Sequence, residues 1–327
     1  MGLRRWLRLK KPRAKTCHVP PPPPHQACRT IKSWPAHVAE LEGGSVVTFG
    51  IALRSARTSP DWRRTEGLLA ATLRSVLRQS DTRFRILICG HEIPDIPEIA
   101  DERVEFIGAE WQPPGPEEAT SRFRMDYNRK RFVIGQRMRS LGGGFLMKLD
   151  SDDLLHRDLT GFILSTPNGA ILDKGFMLDH GNRRIAAVPG AFAVDIDRFC
   201  GSTAAILYRA EDFPESWESK DGRGTTLFNH TAAHGYVRGT MEEFRRPLAP
   251  VPFPAVIYRV NTSDNVSFTD QRQDERREKM LAAIGENAIT DAEQLRQIGA
   301  AFGTAIVERL SEAHDPAAPV FDEIPCS

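Results

Sequence analysis

Two apolar runs separated by one amphipathic segment set the tightest limit on what this chain can fold into. Val46-Val47-Thr48-Phe49-Gly50-Ile51-Ala52-Leu53 is almost continuously apolar and reads as a strand buried on both faces. Trp62 to Gln79 places Leu68, Leu69, Thr72, Leu73, Val76 and Leu77 at helical spacing with arginines opposite, the pattern of an amphipathic helix. Phe84-Arg85-Ile86-Leu87-Ile88-Cys89 then reads as a second strand. Strand, helix and strand in so short a span make a βαβ unit. Such a unit commits the chain to a parallel sheet with a right-handed crossover, and puts a ligand at the sheet's C-terminal edge. With 327 residues, 40% of them hydrophobic, the chain can cover both faces of that sheet.

The rest of the chain extends the pattern. Arg103 to Ile107 reads as a third strand, and Phe123 to Leu141 as an arginine-rich helix leading into Gly142-Gly143-Gly144. After the glycines, Phe145-Leu146-Met147-Lys148-Leu149 is an apolar strand that ends in Asp150-Ser151-Asp152-Asp153, three carboxylates within four positions. Carboxylates delivered to a sheet edge suit a hard cation, since Mg²⁺ or Mn²⁺ takes one or two of them and fills its shell with water and phosphate oxygens. The competing reading is an acidic helix N-cap, with Asp150 or Ser151 capping. The shared edge with the loops after the first two strands favours the cation site. Further on, Leu154 to Ser165 is expected as a helix, and Ala170–Asp173 with Gly175–Leu178 as a strand or hairpin region. Arg184–Val188, Phe192–Ile196, Thr203–Tyr208 and Ala255–Val260 are expected as strands, and Gln271 to Glu312 as helical. His230 and His234, four apart, are expected to share a helix face.

Charge and cysteine content exclude some classes of function. With 44 Lys+Arg against 43 Asp+Glu the net charge is +1, which argues against nucleic acid as a partner. Five scattered cysteines suit reduced thiols in a cytoplasmic protein better than a disulfide framework. No apolar run reaches transmembrane length, and the N-terminus lacks the apolar core of a secretion signal. Residues 1–43 differ in composition from the rest and read as a basic, Pro-rich segment outside the core. Within 1–15, Leu3, Trp6, Leu7 and Leu9 alternate with Lys and Arg, a pattern for peripheral contact with an anionic membrane face. So few apolar anchors equally suit a solvated tail. Cys17, His18, His25 and Cys28 are zinc-ligand types, but the prolines between them and their spacing match no standard finger. The expected domain order is this segment, a globular domain over 44–268, and a helical extension with a tail over 269–327.

The first strand, the helix ending Leu73-Arg74-Ser75-Val76-Leu77-Arg78-Gln79-Ser80, the second strand, the helix before Gly142 and the strand ending Leu149-Asp150-Ser151-Asp152-Asp153 together resemble a GT-A glycosyltransferase. The arginine-bearing loop after the first strand and the late Asn265-Val266-Ser267 are most similar to bacterial rhamnosyltransferases. The resemblance spans Val46 to Ser267, and the acidic motif is its most specific part. It implies an α/β fold with a mainly parallel mixed sheet flanked by helices. It also implies a nucleotide-sugar donor, a glycan or polysaccharide acceptor, and Mg²⁺ or Mn²⁺ bridging the donor diphosphate. On that resemblance Asp152 and Asp153 are metal ligands, and Asp150 binds the metal or the donor's hydroxyls. Glu92, where relatives carry Asp-Asp-Gly-Ser, faces the base or ribose, and Arg54, Arg57 and Arg131 approach the diphosphate. An inverting transfer needs a base, and Asp221 and His230 are the candidates. Glu211-Asp212 also forms a carboxylate pair but follows its strand too closely. The late histidine of many relatives is replaced by Arg259-Val260-Asn261-Thr262. Two other classes stay open. A nucleotidyltransferase would need a Gly-rich, Lys-bearing phosphate loop, which Arg54-Ser55-Ala56-Arg57 is not. A non-catalytic carbohydrate-binding protein would keep the fold; the intact Asp triplet speaks against it and the missing late histidine for it.

Overall fold

The computed structural model describes residues 46–118, 120–217, 226–262 and 274–303. The basic stretch 1–15, the group Cys17 to Cys28, Asp221 and Asn265–Ser267 lie outside the described residues.

The opening βαβ unit forms as its sequence dictates. Strand β1 (Val47–Ala52) leads through helix α1 (Trp62–Leu77) to β2 (Phe84–Gly90), and β1 and β2 pair in parallel. Asp61 caps α1 by accepting the Arg64 N–H at 3.2 Å. Leu69, Leu73 and Val76 are buried against Val47, Phe49 and Ile86, and each buried aliphatic side chain contributes about 1.5–3 kcal/mol. Strand β3 (Val104–Gly108) joins the far side of β2, and helix α2 (Thr120–Ser140) returns over the opposite face of the sheet. There its Ile134 and Met138 pack on Leu87, Cys89 and Ile107.

Strand β4 (Gly143–Lys148) then enters on the other side of β1. Gly142, Gly143 and Gly144 all have positive φ, and a Cβ on Gly143 would lie 2.4 Å from the Tyr208 carbonyl oxygen. The triple glycine is thus a requirement of β4's pairing with antiparallel β9 (Ala204–Arg209). With β6 (Gly169–Ile171) and β10 (Ala249–Pro250), the main sheet runs β10-β6-β9-β4-β1-β2-β3, and only β9 runs against the others. A smaller sheet has the order β5-β11-β7-β8, from β5 (Leu154–Leu155), β7 (Gly175–Asp179), β8 (Arg184–Val188) and β11 (Val256–Val260). Helices α3 (Leu159–Leu164), α4 (Leu227–His230), α5 (Val237–Glu243), α6 (Asp274–Glu286) and α7 (Ala292–Phe302) complete the described elements. Leu295, Ile298 and Phe302 of α7 pack on Leu154, Phe176 and Ile257 of the small sheet. The architecture is the expected α/β fold with a mainly parallel mixed sheet flanked by helices. Among the described residues no helix is long and apolar enough to cross a membrane.

Four local expectations need correction. Leu154 and Leu155 are strand, because they pair with Ile257 and Val256 of β11, and the helix starts only at Leu159. The segment from Phe192 to Asp195 is irregular and leads into a 3-10 turn at Ile196–Arg198. Of the strand or hairpin region expected over Ala170–Leu178, the strands form as β6 and β7 but lie in different sheets, so only the hairpin alternative fails. Helix α4 ends at His230 while His234 opens a separate 3-10 turn, so the two histidines do not share a helix face.

Candidate functional site

The strand order fixes where a ligand can sit. From β1 the chain steps to β2 and β3 on one side, then returns to place β4 on the other. The C-terminal ends of β1 and β4 therefore diverge at a topological switch point, the crevice where open α/β sheets bind ligands. β4 delivers Asp150 there and β1 delivers the loop beginning at Leu53.

The acidic loop is held from below. Asp153 is 0% exposed, and both its oxygens are engaged. Oδ2 accepts the Ser202 hydroxyl at 2.6 Å and the Cys200 thiol at 3.2 Å, and Oδ1 accepts the Arg259 backbone N–H at 3.3 Å. Burial, reinforced by Asp152 and Asp150, pushes the Asp153 carboxyl well above the usual range. Asp153 thus anchors the loop, contrary to its expected place beside Asp152 as an outward metal ligand. Asp150 donates its backbone N–H to the Ser202 hydroxyl at 2.8 Å, while its carboxylate accepts no hydrogen bond among the described residues. That carboxylate lies over Gly201, where a Cβ would come within 2.8 Å of Oδ2 and would push the carboxylate aside. Burial raises the Asp150 pKa, and Lys148 and Arg131 oppose that rise. Asp152 is half-buried and takes the Thr262 hydroxyl at 3.4 Å.

Behind the loop stands Arg259, 3% exposed. Its Nε donates to the Asp152 carbonyl, and Nη2 donates to the Leu68 carbonyl at 2.8 Å and to Thr72 Oγ1 at 3.2 Å. Burial brings its pKa down to about 10, against the pull of Asp152 and Asp153. Asp150 and Asp152 carry hard oxygen donors of the chemical type that Mg²⁺ or Mn²⁺ takes. No group of three or more His, Cys, Asp or Glu side chains converges as a metal site among the described residues.

Two cations face Asp150 from the α2 side. Lys148, two positions before Asp150 along the strand, donates from Nζ to the carbonyls of Thr231 at 2.7 Å and Ala232 at 3.1 Å. Burial and the nearby Arg131 hold its pKa well below the usual lysine value. Arg131 is 7% exposed, stands over the rings of Phe228 (5.3 Å) and Tyr127 (5.9 Å), and makes no hydrogen bond or ion pair among the described residues. Together with Lys148, Gly50, Ile134, Leu146 and Phe228 it lines a small cavity at the β1–β4 seam. A guanidinium cannot shed its proton, so one buried without a hydrogen-bond partner is an incomplete arrangement.

On the β1–β2 side, Glu92 accepts the Ser55 hydroxyl at 2.9 Å and the Ala56 N–H at 3.0 Å. Its carboxylate fixes the loop after β1, where the resemblance implied an open contact to base or ribose. Arg54 is half-buried and donates to the Thr58 carbonyl of its own loop, whereas Arg57 is exposed at the rim. The same loop is pinned by Lys130, 1% exposed, whose Nζ donates to the Leu53 carbonyl at 2.7 Å and to Asp126 Oδ2 at 2.6 Å. Asp126 Oδ1 also accepts Trp111 Nε1 at 2.8 Å and pairs with His91 Nε2 at 2.9 Å.

The structure thus gathers Asp150, Asp152, Asp153 and Arg131 at the β4 end of the crevice, with Arg54 and Arg57 on the loop after β1 and Glu92, after β2, bonded to that loop. His230 does not join them. It is exposed, its ring lies 5.3 Å from Phe244, and it makes no side-chain hydrogen bond or ion pair among the described residues. Lys148, Arg259, Ser202 and Cys200 are functional neighbours that the expected site lacked. For the first two a signal existed: each is a lone cation inside an otherwise apolar strand, which is tolerable only with a partner.

No protein-family model matches this chain, and no curated protein sequence does. Among solved structures, similarity extends to two of the glycosyltransferase GlyE from Streptococcus pneumoniae TIGR4. The apo form is 10% identical over 66% of this chain and 55% of its own, and the other is 9% identical over 67% and 55%, each with a TM-score of 0.33. A galactosyltransferase, LgtC, in complex with donor and acceptor sugar analogs, is 14% identical over 84% of this chain and 98% of its own, with a TM-score of 0.30. The chain spans about half the length of the GlyE structures.

Proposed function

We propose that this chain is a glycosyltransferase that binds a nucleotide-sugar donor across the β1–β4 crevice and passes the sugar to a hydroxyl of a glycan or polysaccharide. The observation that carries this reading is Arg131, a buried guanidinium with no hydrogen bond or ion pair among the described residues, within electrostatic reach of Asp150 on the acidic loop at the switch point. A site that joins a cation free of hydrogen bonds to carboxylates suits a ligand that is itself anionic and brings a divalent cation, as a nucleoside diphosphate does. Asp150 and Asp152 would hold Mg²⁺ or Mn²⁺, which when bound supplies Lewis-acid stabilisation of the charge that develops on the departing diphosphate. Arg131 offers a fork of N–H donors to phosphate oxygens in a water-poor setting, where a charge-assisted bond is strongest. Arg54 and Arg57 lie on the loop that Glu92 and Lys130 hold in place, so that loop meets the donor preorganised. Rhamnose as the transferred sugar and inversion at the anomeric carbon are part of the proposal through the resemblance alone, as is a cytoplasmic site of action.

The test is a thermal-shift and calorimetric screen of UDP-, GDP- and dTDP-sugars and the free nucleoside diphosphates, with and without Mn²⁺. One donor is expected to stabilise the protein in a metal-dependent way, and Asp152→Ala is expected to abolish the metal dependence. At 100 times Kd the stabilisation is about 2.7 kcal/mol. No response to any nucleotide sugar or nucleoside diphosphate refutes the reading. Binding without sugar release would place the chain among non-catalytic carbohydrate-binding proteins.

A further inference from the structure

A second group of polar side chains stands at the same edge of the main sheet as the acidic loop. Met147 of β4, Ala205 of β9 and Ala170 of β6 form one row across the sheet, and β4 and β6 run in the same direction. Asp150 comes three residues after Met147 and Asp173 three after Ala170, so the two are level at the C-terminal edge. With one strand between them, their backbones are about 9–10 Å apart. The start of β9 joins them: Ser202 Oγ accepts the Asp150 N–H at 2.8 Å, and the Thr203 carbonyl accepts the Leu172 N–H at 2.8 Å. The 3-10 turn Ile196–Arg198 is tied to Asp173, whose carbonyl accepts the Ile196 N–H at 3.2 Å. Arg198 Nη1 donates to the Gly235 carbonyl at 2.8 Å, which brings the start of α5 alongside, and Arg238 Nη2 lies 3.7 Å from Asp173 Oδ2.

These groups are short of partners. Asp197, in the middle of the turn, is 5% exposed, and its carboxylate makes no hydrogen bond among the described residues. Asp173 Oδ1 and Arg238 Nη2 are buried atoms that likewise lack a hydrogen bond among the described residues. Burial pushes the Asp197 carboxyl above its usual range, against the pull of Arg238 and Arg198. A metal ion does not suit the group, because Arg238 stands within it and no three metal-ligating side chains converge among the described residues. Buried carboxylate and guanidinium atoms without partners call for a neutral ligand that both donates and accepts hydrogen bonds. A sugar hydroxyl does both, giving its O–H to a carboxylate and its oxygen lone pairs to a guanidinium. We propose that Asp173, Asp197 and Arg238 form a carbohydrate subsite that holds hydroxyls of the acceptor glycan. Its assignment to the acceptor rests on the glycosyl-transfer reading above, whereas its carbohydrate chemistry rests on these three side chains. The donor crevice at Asp150 and this subsite share one sheet edge, joined by the start of β9, so an acceptor held here lies beside the sugar to be transferred.

Saturation-transfer NMR tests the subsite before the acceptor is known. Methyl glycosides of glucose, galactose, mannose, rhamnose and N-acetylglucosamine, with a set of disaccharides, are titrated into the full chain in the presence of UDP, GDP or dTDP and Mg²⁺. At least one glycoside is expected to bind wild type. Asp173→Asn and Asp197→Asn should each weaken that binding roughly 10–100-fold, the value of a hydrogen bond to a charged group. Nucleoside diphosphate affinity by calorimetry should stay within about threefold of wild type, as for separate sites, and circular dichroism checks folding. Should the Asp197 variant not fold, Arg238→Met carries the same test, since that side chain is 41% exposed. A wild type that binds nucleoside diphosphate but no glycoside overturns the subsite and leaves the donor reading standing. Glycoside binding kept within about threefold in the folded variants overturns it too. Glycoside binding that the variants lose, in a protein that binds no nucleoside diphosphate, keeps the carbohydrate subsite and refutes the donor reading; binding of neither refutes both.

Discussion

Replacing Arg131 by methionine should move stability and ligand binding in opposite directions, and that opposition separates a binding residue from a structural one. In the free protein Arg131 is 7% exposed and has no hydrogen bond or ion pair among the described residues, so its desolvation is offset only by the longer-range attraction of Asp150. Replacing buried ion pairs with apolar side chains of similar volume is often neutral or stabilising by about 1–4 kcal/mol, and a guanidinium with no ion pair is taken to follow the same trend. Against this stand two cation–π contacts, to Phe228 at 5.3 Å and Tyr127 at 5.9 Å. At such distances they contribute about 0.5–1 kcal/mol each, and a thioether recovers part of it. The net expectation is a free protein between unchanged and about 3 kcal/mol more stable. Nucleoside diphosphate binding should weaken by about 1.5–3 kcal/mol, the value of a hydrogen bond to a charged group, or roughly 10–150-fold in Kd. Urea unfolding of the free protein gives the first number, and calorimetry with UDP, GDP and dTDP in Mn²⁺ the second. A loss of more than about 1 kcal/mol of stability, with nucleotide affinity unchanged, would show Arg131 to be a packing residue and refute the reasoning.

Gly143→Ala forces φ of +95° on a residue with a Cβ 2.4 Å from the Tyr208 carbonyl oxygen, so it should cost at least about 2 kcal/mol. An unchanged urea midpoint would mean that β4 and β9 do not pair in this register. Glu105 is 1% exposed and receives Arg137 at 2.9 Å, with the buried Arg85 nearby. Glu105→Ala strands those cations and should cost about 3 kcal/mol, the low end for a broken buried pair because Arg137 is partly exposed. Burial holds His156 and His234 below their ordinary pKa, so on acidification the unfolded chain takes up their protons first. Their contribution to stability is complete above about pH 6.5 and falls as pH drops below it. Comparison of urea unfolding at pH 7.5 and 5.5 should show a shallower loss in His234→Gln than in wild type, and equal slopes would contradict burial of that ring.

Much of the fold follows from local pattern alone. A continuous apolar run of strand length, a helix with one apolar face and a second such run leave no low-energy alternative to a parallel βαβ unit, because every backbone group must pair and every apolar face must be covered. The same local logic places the carboxylates of Asp150 to Asp153 at a strand's end, and lone cations in apolar strands mark Lys148 and Arg259 as groups with partners to find. Which way each carboxylate turns is another matter. Asp152 and Asp153 are adjacent and chemically identical, yet Asp153 is buried beneath the loop because Ser202, Cys200 and the backbone of Arg259 converge there from 47 to 106 residues away. His230 and His234 also part, since the helix stops between them and Arg198 holds the following turn through the Gly235 carbonyl, leaving His230 exposed and His234 half-buried. Local periodicity is written in neighbouring residues and can be read from them. Side-chain direction at a site is set by contacts distant in sequence, and those exist only once the sheets have formed.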